Sequence, residues 1–143
     1  MQPNSPSYAV PFPLSLILCD AVYEDPVSRK KALIGMFSVL MAQGFPVYHP
    51  GFCVHLEFSD CQGSIPLKLR IIDADEERAP IFEMALNAQV PDRRAVAAAA
   101  FYISGGIVFP EPGEYRIQTF AGDEPLLERR LIVVPFNRPT EAS

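Results

Sequence analysis

The chain has 143 residues, of which 49% are hydrophobic and 20% charged, and this composition indicates a single folded domain and excludes a chain that is disordered throughout. The net charge of −5 would repel phosphate backbones, and no run of about 20 apolar residues is present, so we expect neither a nucleic-acid nor a membrane partner. Three cysteines, an odd number, cannot all pair within one molecule, which favours the reducing cytoplasm.

Prolines set the predicted domain boundaries. The chain has 15 of them, scattered along its length, which predicts many short segments separated by turns. Residues 1–13 show no apolar period, so we expect an extended N-terminal arm there. Residues 14–136 form the predicted domain, and residues 137–143 a flexible tail.

Apolar runs bounded by turn-forming residues repeat along the domain, as is typical of β-strands. We predict strands over residues 14–23, 32–41, 52–59, 65–72, 81–89, 95–109, 115–120 and 126–136, with a break within residues 95–109. In the third run, Phe52, Val54 and Leu56 alternate with more polar residues, which places one face of that strand in the core. The regular spacing of about eight runs predicts an all-β fold, an antiparallel two-sheet β-sandwich of the immunoglobulin-like kind.

Two runs are apolar at nearly every position. LSLILC at residues 14–19 and ALIGMFSVLMA at residues 32–42 predict strands that are covered on both faces, with a buried helix as the alternative. Gly35 and the β-branched residues favour the strand.

The segment AVAAAAFYISGG, residues 95–106, leaves strand and helix open. Its four consecutive alanines have high helix propensity, and Pro91-Asp92 would start such a helix. The β-like residues around Gly105-Gly106 instead favour a strand with a glycine bulge, which is the interpretation we prefer.

The stretch FPEPGEYRI, residues 109–117, must form a corner. Pro110 and Pro112 each fix φ and lack an N–H donor, while Gly113 permits a positive φ. Tyr115 follows at the start of the next strand, where its hydroxyl can bond an upstream backbone group, as in the tyrosine corner of immunoglobulin-like sandwiches. The chain then continues into a final hairpin, with the turn at residues 121–125.

The order ILCDAVYEDPVSRKKALIGMFSVL, FPVYHPGFCVHLEFSD and FPEPGEYRI, followed by a closing hairpin, resembles an uncharacterised family of small bacterial single-domain proteins. The resemblance covers residues 15–135. It implies a β-sandwich and carries no activity with it.

A recognition patch is predicted in the segment FPVYHPGF. Its exposed aromatic, histidine and proline side chains are suited to binding a protein, and the candidate binding residues are Phe45, Tyr48, His49 and Pro50. In the alternative interpretation, the prolines only pin the loop and the aromatic rings cap the core.

Two groups of residues could hold a metal, although we expect neither a metal nor another cofactor. The carboxylates of Asp73, Asp75, Glu76 and Glu77 could offer oxygen ligands to Ca²⁺. Cys53, His55 and Glu57 share one face of a strand, with His49 and Cys61 flanking them, and offer ligands to Zn²⁺. Neighbouring same-face residues are about 7 Å apart, however, and bonds to zinc are near 2 Å, so the set favours a free cysteine at residue 53 and a surface histidine at residue 55.

No catalytic motif occurs in the chain, so we predict a protein that is not an enzyme. The predicted function is that of a noncatalytic protein-interaction or scaffold module, with an unknown protein partner and with homodimer formation through a free sheet edge. The alternatives are a zinc- or calcium-dependent enzyme that uses His49, Cys53, His55, Asp73 or Asp75, and a calcium-dependent binding domain.

Overall fold

A computed structural model describes residues 8–75 and 78–136 of the chain. Within these ranges the protein is all-β, as predicted, and contains no helix, hence none long and apolar enough to cross a membrane. The strands are β1 (Phe12–Cys19), β2 (Ala21–Glu24), β3 (Lys31–Ile34), β4 (Val39–Ala42), β5 (Val47–His49), β6 (Cys53–Ser59), β7 (Gly63–Asp73), β8 (Phe82–Val90), β9 (Ala97–Tyr102), β10 (Ile107–Phe109), β11 (Gly113–Ala121) and β12 (Glu124–Pro135).

The described chain has twelve strands, so the prediction of about eight was wrong. Two predicted strands are each split in two, the predicted break within residues 95–109 separates β9 from β10, and β5 was not predicted at all. The two splits occur at Asp20 and Gly35, where the Asp20 N–H donates to the carbonyls of Ile34 and Gly35. Gly35 has φ 70°, and the Asp20 carboxylate occupies the space that a Cβ at this glycine would need. The chain therefore leaves its sheet after β1, forms the β2–β3 hairpin, and then joins the five-stranded sheet as β4.

The strands form four sheets, with the orders β1-β6-β9, β4-β12-β11-β7-β8, β10-β5 and β2-β3. All pairings between these strands are antiparallel except that of β4 with β12, which is parallel. The prediction of a purely antiparallel fold is corrected at that pair. It arises because β4 follows the inserted hairpin and so runs alongside the last strand in the same direction.

The core is one cluster of buried side chains, to which the β1-β6-β9 sheet and the five-stranded sheet both contribute. Alternate residues of β6 enter it, as predicted, with Val54, Leu56 and Phe58 fully buried. The facing strands β7 and β11 contribute Leu69 and Ile117. The opposite face of β6 carries a different set of side chains, which form part of the candidate site.

The predicted tyrosine corner is present. The Tyr115 side chain is 1% exposed, and its hydroxyl donates a 2.6 Å hydrogen bond to the Glu111 carbonyl four residues upstream. The ring also packs edge-to-face on Phe109 at a centroid distance of 5.0 Å. The proline-rich stretch is thereby held as a corner, because its backbone bonds to the strand that follows it.

The alanine-rich segment is a strand, as we preferred, since β9 pairs with β6 along its length. It ends at Tyr102, and Gly105 and Gly106 have φ values of 87° and 92° in the break before β10. The final hairpin of β11 and β12 is likewise confirmed.

The predicted ends fall partly outside the described residues. Residues 1–7 of the predicted arm and the whole predicted tail, residues 137–143, lie outside them. Of the remaining arm, Tyr8 packs against the core, and Phe12 and Pro13 already belong to β1.

Candidate functional site

The predicted recognition patch is held against the protein by its own side chains. Phe45 packs against the core, and the Tyr48 hydroxyl donates a 3.1 Å hydrogen bond to the Gly105 carbonyl. His49 accepts a 3.0 Å bond at Nδ1 from the Gly51 N–H. Tyr48 is still 63% exposed and Pro50 is exposed, so these two offer most of the free surface of the predicted patch.

The acidic turn after β7 is closed by an arginine. Asp73 is 6% exposed, accepts a hydrogen bond from the Asp75 N–H, and forms an ion pair of 3.2 Å with Arg78. Arg78 also binds Glu111 at 2.8 Å. A calcium ion at Asp73 would have to displace this guanidinium. The other two predicted ligands, at positions 76 and 77, lie outside the described residues.

The predicted zinc residues are separated by the strand itself. Cys53 and His55 lie on the outer face of β6, whereas Cys61 belongs to the core cluster on the other side. No group of three or more His, Cys, Asp or Glu side chains in residues 8–75 and 78–136 is placed to hold a metal ion. The expectation that Cys61 flanks the other ligands is therefore wrong.

A pocket that the sequence did not predict lies on this outer face. In antiparallel strands, directly opposed residues share a face, and the register places three rows side by side across β1, β6 and β9. The rows are Ser15–Glu57–Ala98, Ile17–His55–Ala100 and Cys19–Cys53–Tyr102. The β2–β3 hairpin adjoins this face and forms with it a partly open cavity of about 190 Å³, which we call the hairpin pocket. Its lining residues are Val22, Glu24, Lys31, His55, Ala98, Ala100 and Tyr102.

His55 is the buried polar residue of the hairpin pocket. Its side chain is 5% exposed, and neither Nδ1 nor Nε2 has a hydrogen-bond partner among the described residues. Its neighbours across the sheet, Ile17 and Ala100, have no polar side-chain atom to offer. Burial lowers the pKa of His55, and the Lys31 ammonium lowers it further against the opposing effect of the Glu57 carboxylate. The imidazole is therefore neutral at neutral pH, with one unpaired donor and one unpaired acceptor.

Two thiols lie in the row next to His55. Cys19 and Cys53 are directly opposed on β1 and β6, and both are 0% exposed. Burial, followed by the effect of Cys19, raises the pKa of Cys53 to about 12. Burial also raises the pKa of Cys19. Because the thiolate is the reactive form, this pair is chemically inert at neutral pH.

An exposed apolar surface follows the β2–β3 hairpin. The run over residues 32–42 was predicted to be covered on both faces, and this prediction is wrong for four of its side chains. Ile34, Met36, Val39 and Met41 are between 44% and 65% exposed. We call these four residues the β4 patch. The pattern alone could not reveal this, because an apolar run reads the same whether its second face meets another strand or solvent.

Together these features define a small all-β protein with a hairpin-covered pocket and an apolar strip at a sheet edge. Residues 14–134 match the profile of DUF6941, a family of unknown function, and the chain belongs to this family. The match agrees with the resemblance noted over residues 15–135. No curated protein matches the chain.

Proposed function

We propose that the protein is a noncatalytic interaction module that associates with a second copy of itself along β4. The observation that carries the proposal is the part of the β4 patch that lies on β4 itself, where Val39 and Met41 are exposed apolar side chains on the end strand of a five-stranded sheet. Exposed apolar side chains at a free sheet edge are typical of a pairing surface.

The backbone of β4 supports pairing on its free side. The Ile132 N–H donates to the Ser38 carbonyl and the Phe136 N–H to the Ala42 carbonyl, so the even-numbered residues of this segment face β12. Because successive residues of a strand alternate, the N–H and C=O groups of Val39 and Met41 point to the free edge. Nothing in residues 8–75 or 78–136 bonds to them outside the strand ladder.

The side chains of β4 are self-complementary. In an antiparallel pair with its two-fold axis at Leu40, Val39 of one copy lies opposite Met41 of the other, and these two residues exchange both backbone bonds. The opposed side chains are then apolar on both copies. Residues 32–42 contain no charged residue and no proline, the usual devices that prevent such pairing. A second copy therefore fits this edge better than a charged partner does.

Light scattering over a micromolar to sub-millimolar concentration range tests the proposal. We expect the average mass to rise from that of a monomer towards that of a dimer. Met41→Lys should hold the protein as a monomer, because it places an ammonium on the apolar strip. Val39→Pro should do the same by removing an outward N–H that β12 does not use.

Val108→Lys is the matched control, since Val108 is 49% exposed on β10, away from β4. It should leave the mass unchanged. A wild-type protein that stays monomeric throughout would end the dimer proposal, and equal loss of dimer in Val108→Lys would place the contact elsewhere.

We further propose that the architecture is an immunoglobulin-like sandwich. The strand orders β1-β6-β9 and β4-β12-β11-β7-β8 are consistent with the two sheets of a variable-type domain, whose edge strand also runs parallel to the last strand. The tyrosine corner at Tyr115 supports the same assignment, since it lies on the next-to-last strand. A crystal structure with two facing sheets in this order would bear it out, and a closed barrel would contradict it.

The proposed compartment is the reducing cytoplasm. All three cysteines are free and buried, as expected for a protein kept among reduced thiols. Mass spectrometry of protein that is denatured directly from the host cell in the presence of an alkylating reagent should find three modified thiols, whereas a disulfide in that sample would contradict the assignment.

A further inference from the structure

The hairpin pocket contains a buried histidine, His55, whose ring nitrogens have no hydrogen-bond partner among the described residues. Most buried side-chain polar atoms in proteins have a hydrogen-bond partner, because an unpaired one loses its bonds to water without replacement. Both ring nitrogens of His55 are in this position. The cavity beside the ring is therefore where a missing partner would lie.

The wall of the cavity contains one cationic side chain, Lys31, and one anionic side chain, Glu24. The Lys31 ammonium lies 4.0 Å from the Glu24 carboxylate and is close enough to His55 to lower its pKa. Glu24 is also paired with Arg29, at 3.7 Å. Lys31 can turn towards a ligand while Arg29 continues to neutralise Glu24. A carboxylate can accept hydrogen bonds from the Lys31 ammonium and from an N–H of the imidazole at the same time.

The remaining walls favour a compact apolar body. Ala98 and Ala100 present methyl groups, Val22 lies on the hairpin, and Tyr102 contributes an aromatic ring. The cavity of about 190 Å³ is somewhat larger than the roughly 150 Å³ that accommodates benzene in a protein interior. A single ring or a short branched chain therefore fits, and a nucleotide does not.

We propose that the hairpin pocket binds a small apolar carboxylic acid as its anion, with the carboxylate between Lys31 and His55 and the apolar body on Ala98 and Ala100. The ring nitrogens are enclosed, so the β2–β3 hairpin must shift to admit the ligand. The hairpin is suited to this, because every residue of β2 and β3 is exposed or only half-buried.

The proposal is tested by NMR titration of the full chain with benzoate, and with benzamide as the neutral molecule of the same shape. Benzoate should bind in the millimolar range and shift the imidazole signals of His55 and the methyl signals of Ala98 and Ala100. Benzamide should bind about tenfold more weakly, the loss expected for one charge-assisted hydrogen bond. Equal shifts with both compounds, or none with benzoate, would overturn the proposal.

Two lysine variants provide the matched comparison. Lys31→Met keeps the length of the side chain and removes its charge, and should weaken benzoate binding about tenfold with little effect on benzamide. Lys30→Met changes the charge of the protein by the same amount one residue away, outside the lining of the pocket, and should leave binding unchanged. Equal losses in the two variants would mean that benzoate responds only to net charge, and would refute the site. The outcome is independent of whether the protein dimerises along β4.

Discussion

Replacing His55 with leucine should stabilise the protein. The neutral imidazole keeps a donor and an acceptor buried without partners, and leaving one such group unpaired costs about 1–3 kcal/mol. Leucine is similar in size and has no polar atom to bury. The neighbours of His55 across the sheet, Ile17 and Ala100, are apolar and suit it. We therefore expect the free energy of unfolding at pH 7.5 to rise by about 1–3 kcal/mol.

The difference in unfolding free energy between His55→Leu and the wild type should grow as the pH falls. The unfolded chain binds a proton at this histidine below a pH of about 6.5, whereas the folded protein resists protonation because burial and Lys31 lower the pKa of His55. The wild type therefore loses stability as the pH falls through about 6.5, and the loss levels off below the folded pKa. The leucine variant lacks this loss. The charged and titratable groups facing the ring, namely Lys31, Glu24, Glu57 and Tyr102, are the same in both proteins.

Urea unfolding of both proteins between pH 7.5 and pH 5.5 measures the effect. We expect the dependence of the unfolding free energy on urea concentration to be the same in both proteins and the urea midpoint to be higher in the leucine variant. His49→Leu is the control, because His49 accepts the Gly51 N–H and its loss leaves that donor unpaired. This control substitution should not raise the free energy of unfolding at pH 7.5. A leucine variant at position 55 that is less stable than the wild type would show that the histidine has a partner in solution, and would refute the reasoning.

Three further substitutions or modifications follow from the fold. Tyr115→Phe should cost about 1–2 kcal/mol of unfolding free energy, since it leaves the Glu111 carbonyl without its bond, whereas Tyr23→Phe on the exposed hairpin should change little; thermal melts compare them. Gly51→Ala should strongly destabilise the protein, because Gly51 has φ 138° and an added Cβ would collide with the Ile103 carbonyl. Gly44→Ala is the control, since its Cβ would meet nothing within 4 Å, and equal melting temperatures of the two variants would contradict the prediction. The three buried thiols should resist alkylation in the native protein and react fully in urea, as a timed iodoacetamide assay would show.

Local chemistry was enough to predict the corner and the central strands. Proline and glycine at residues 110–113 leave the backbone no regular alternative, and Tyr115 has only one nearby partner for its hydroxyl once its ring is buried. The alternation in β6 likewise identified its core face. These features depend on residues close in the chain, so the sequence contains them almost directly.

The pocket and the edge depend on pairings between distant residues. The hairpin insertion after β1 is closed by contacts of Asp20 with Ile34 and Gly35, and no periodic pattern predicts them. Without that insertion, His55 reads as a surface residue of an amphipathic strand, and the run at residues 32–42 reads as a covered strand. Both interpretations fail for the same reason, because the hairpin covers one sheet face and leaves β4 uncovered at the edge of the other sheet.

The most direct test of pairing along β4 is amide hydrogen exchange at low and high protein concentration. The amides of Val39 and Met41 point to the free edge, so the account predicts that their exchange slows as the concentration rises, while that of Val108 does not change. If light scattering detects a dimer and the two β4 amides nevertheless exchange equally fast at both concentrations, the central claim is contradicted.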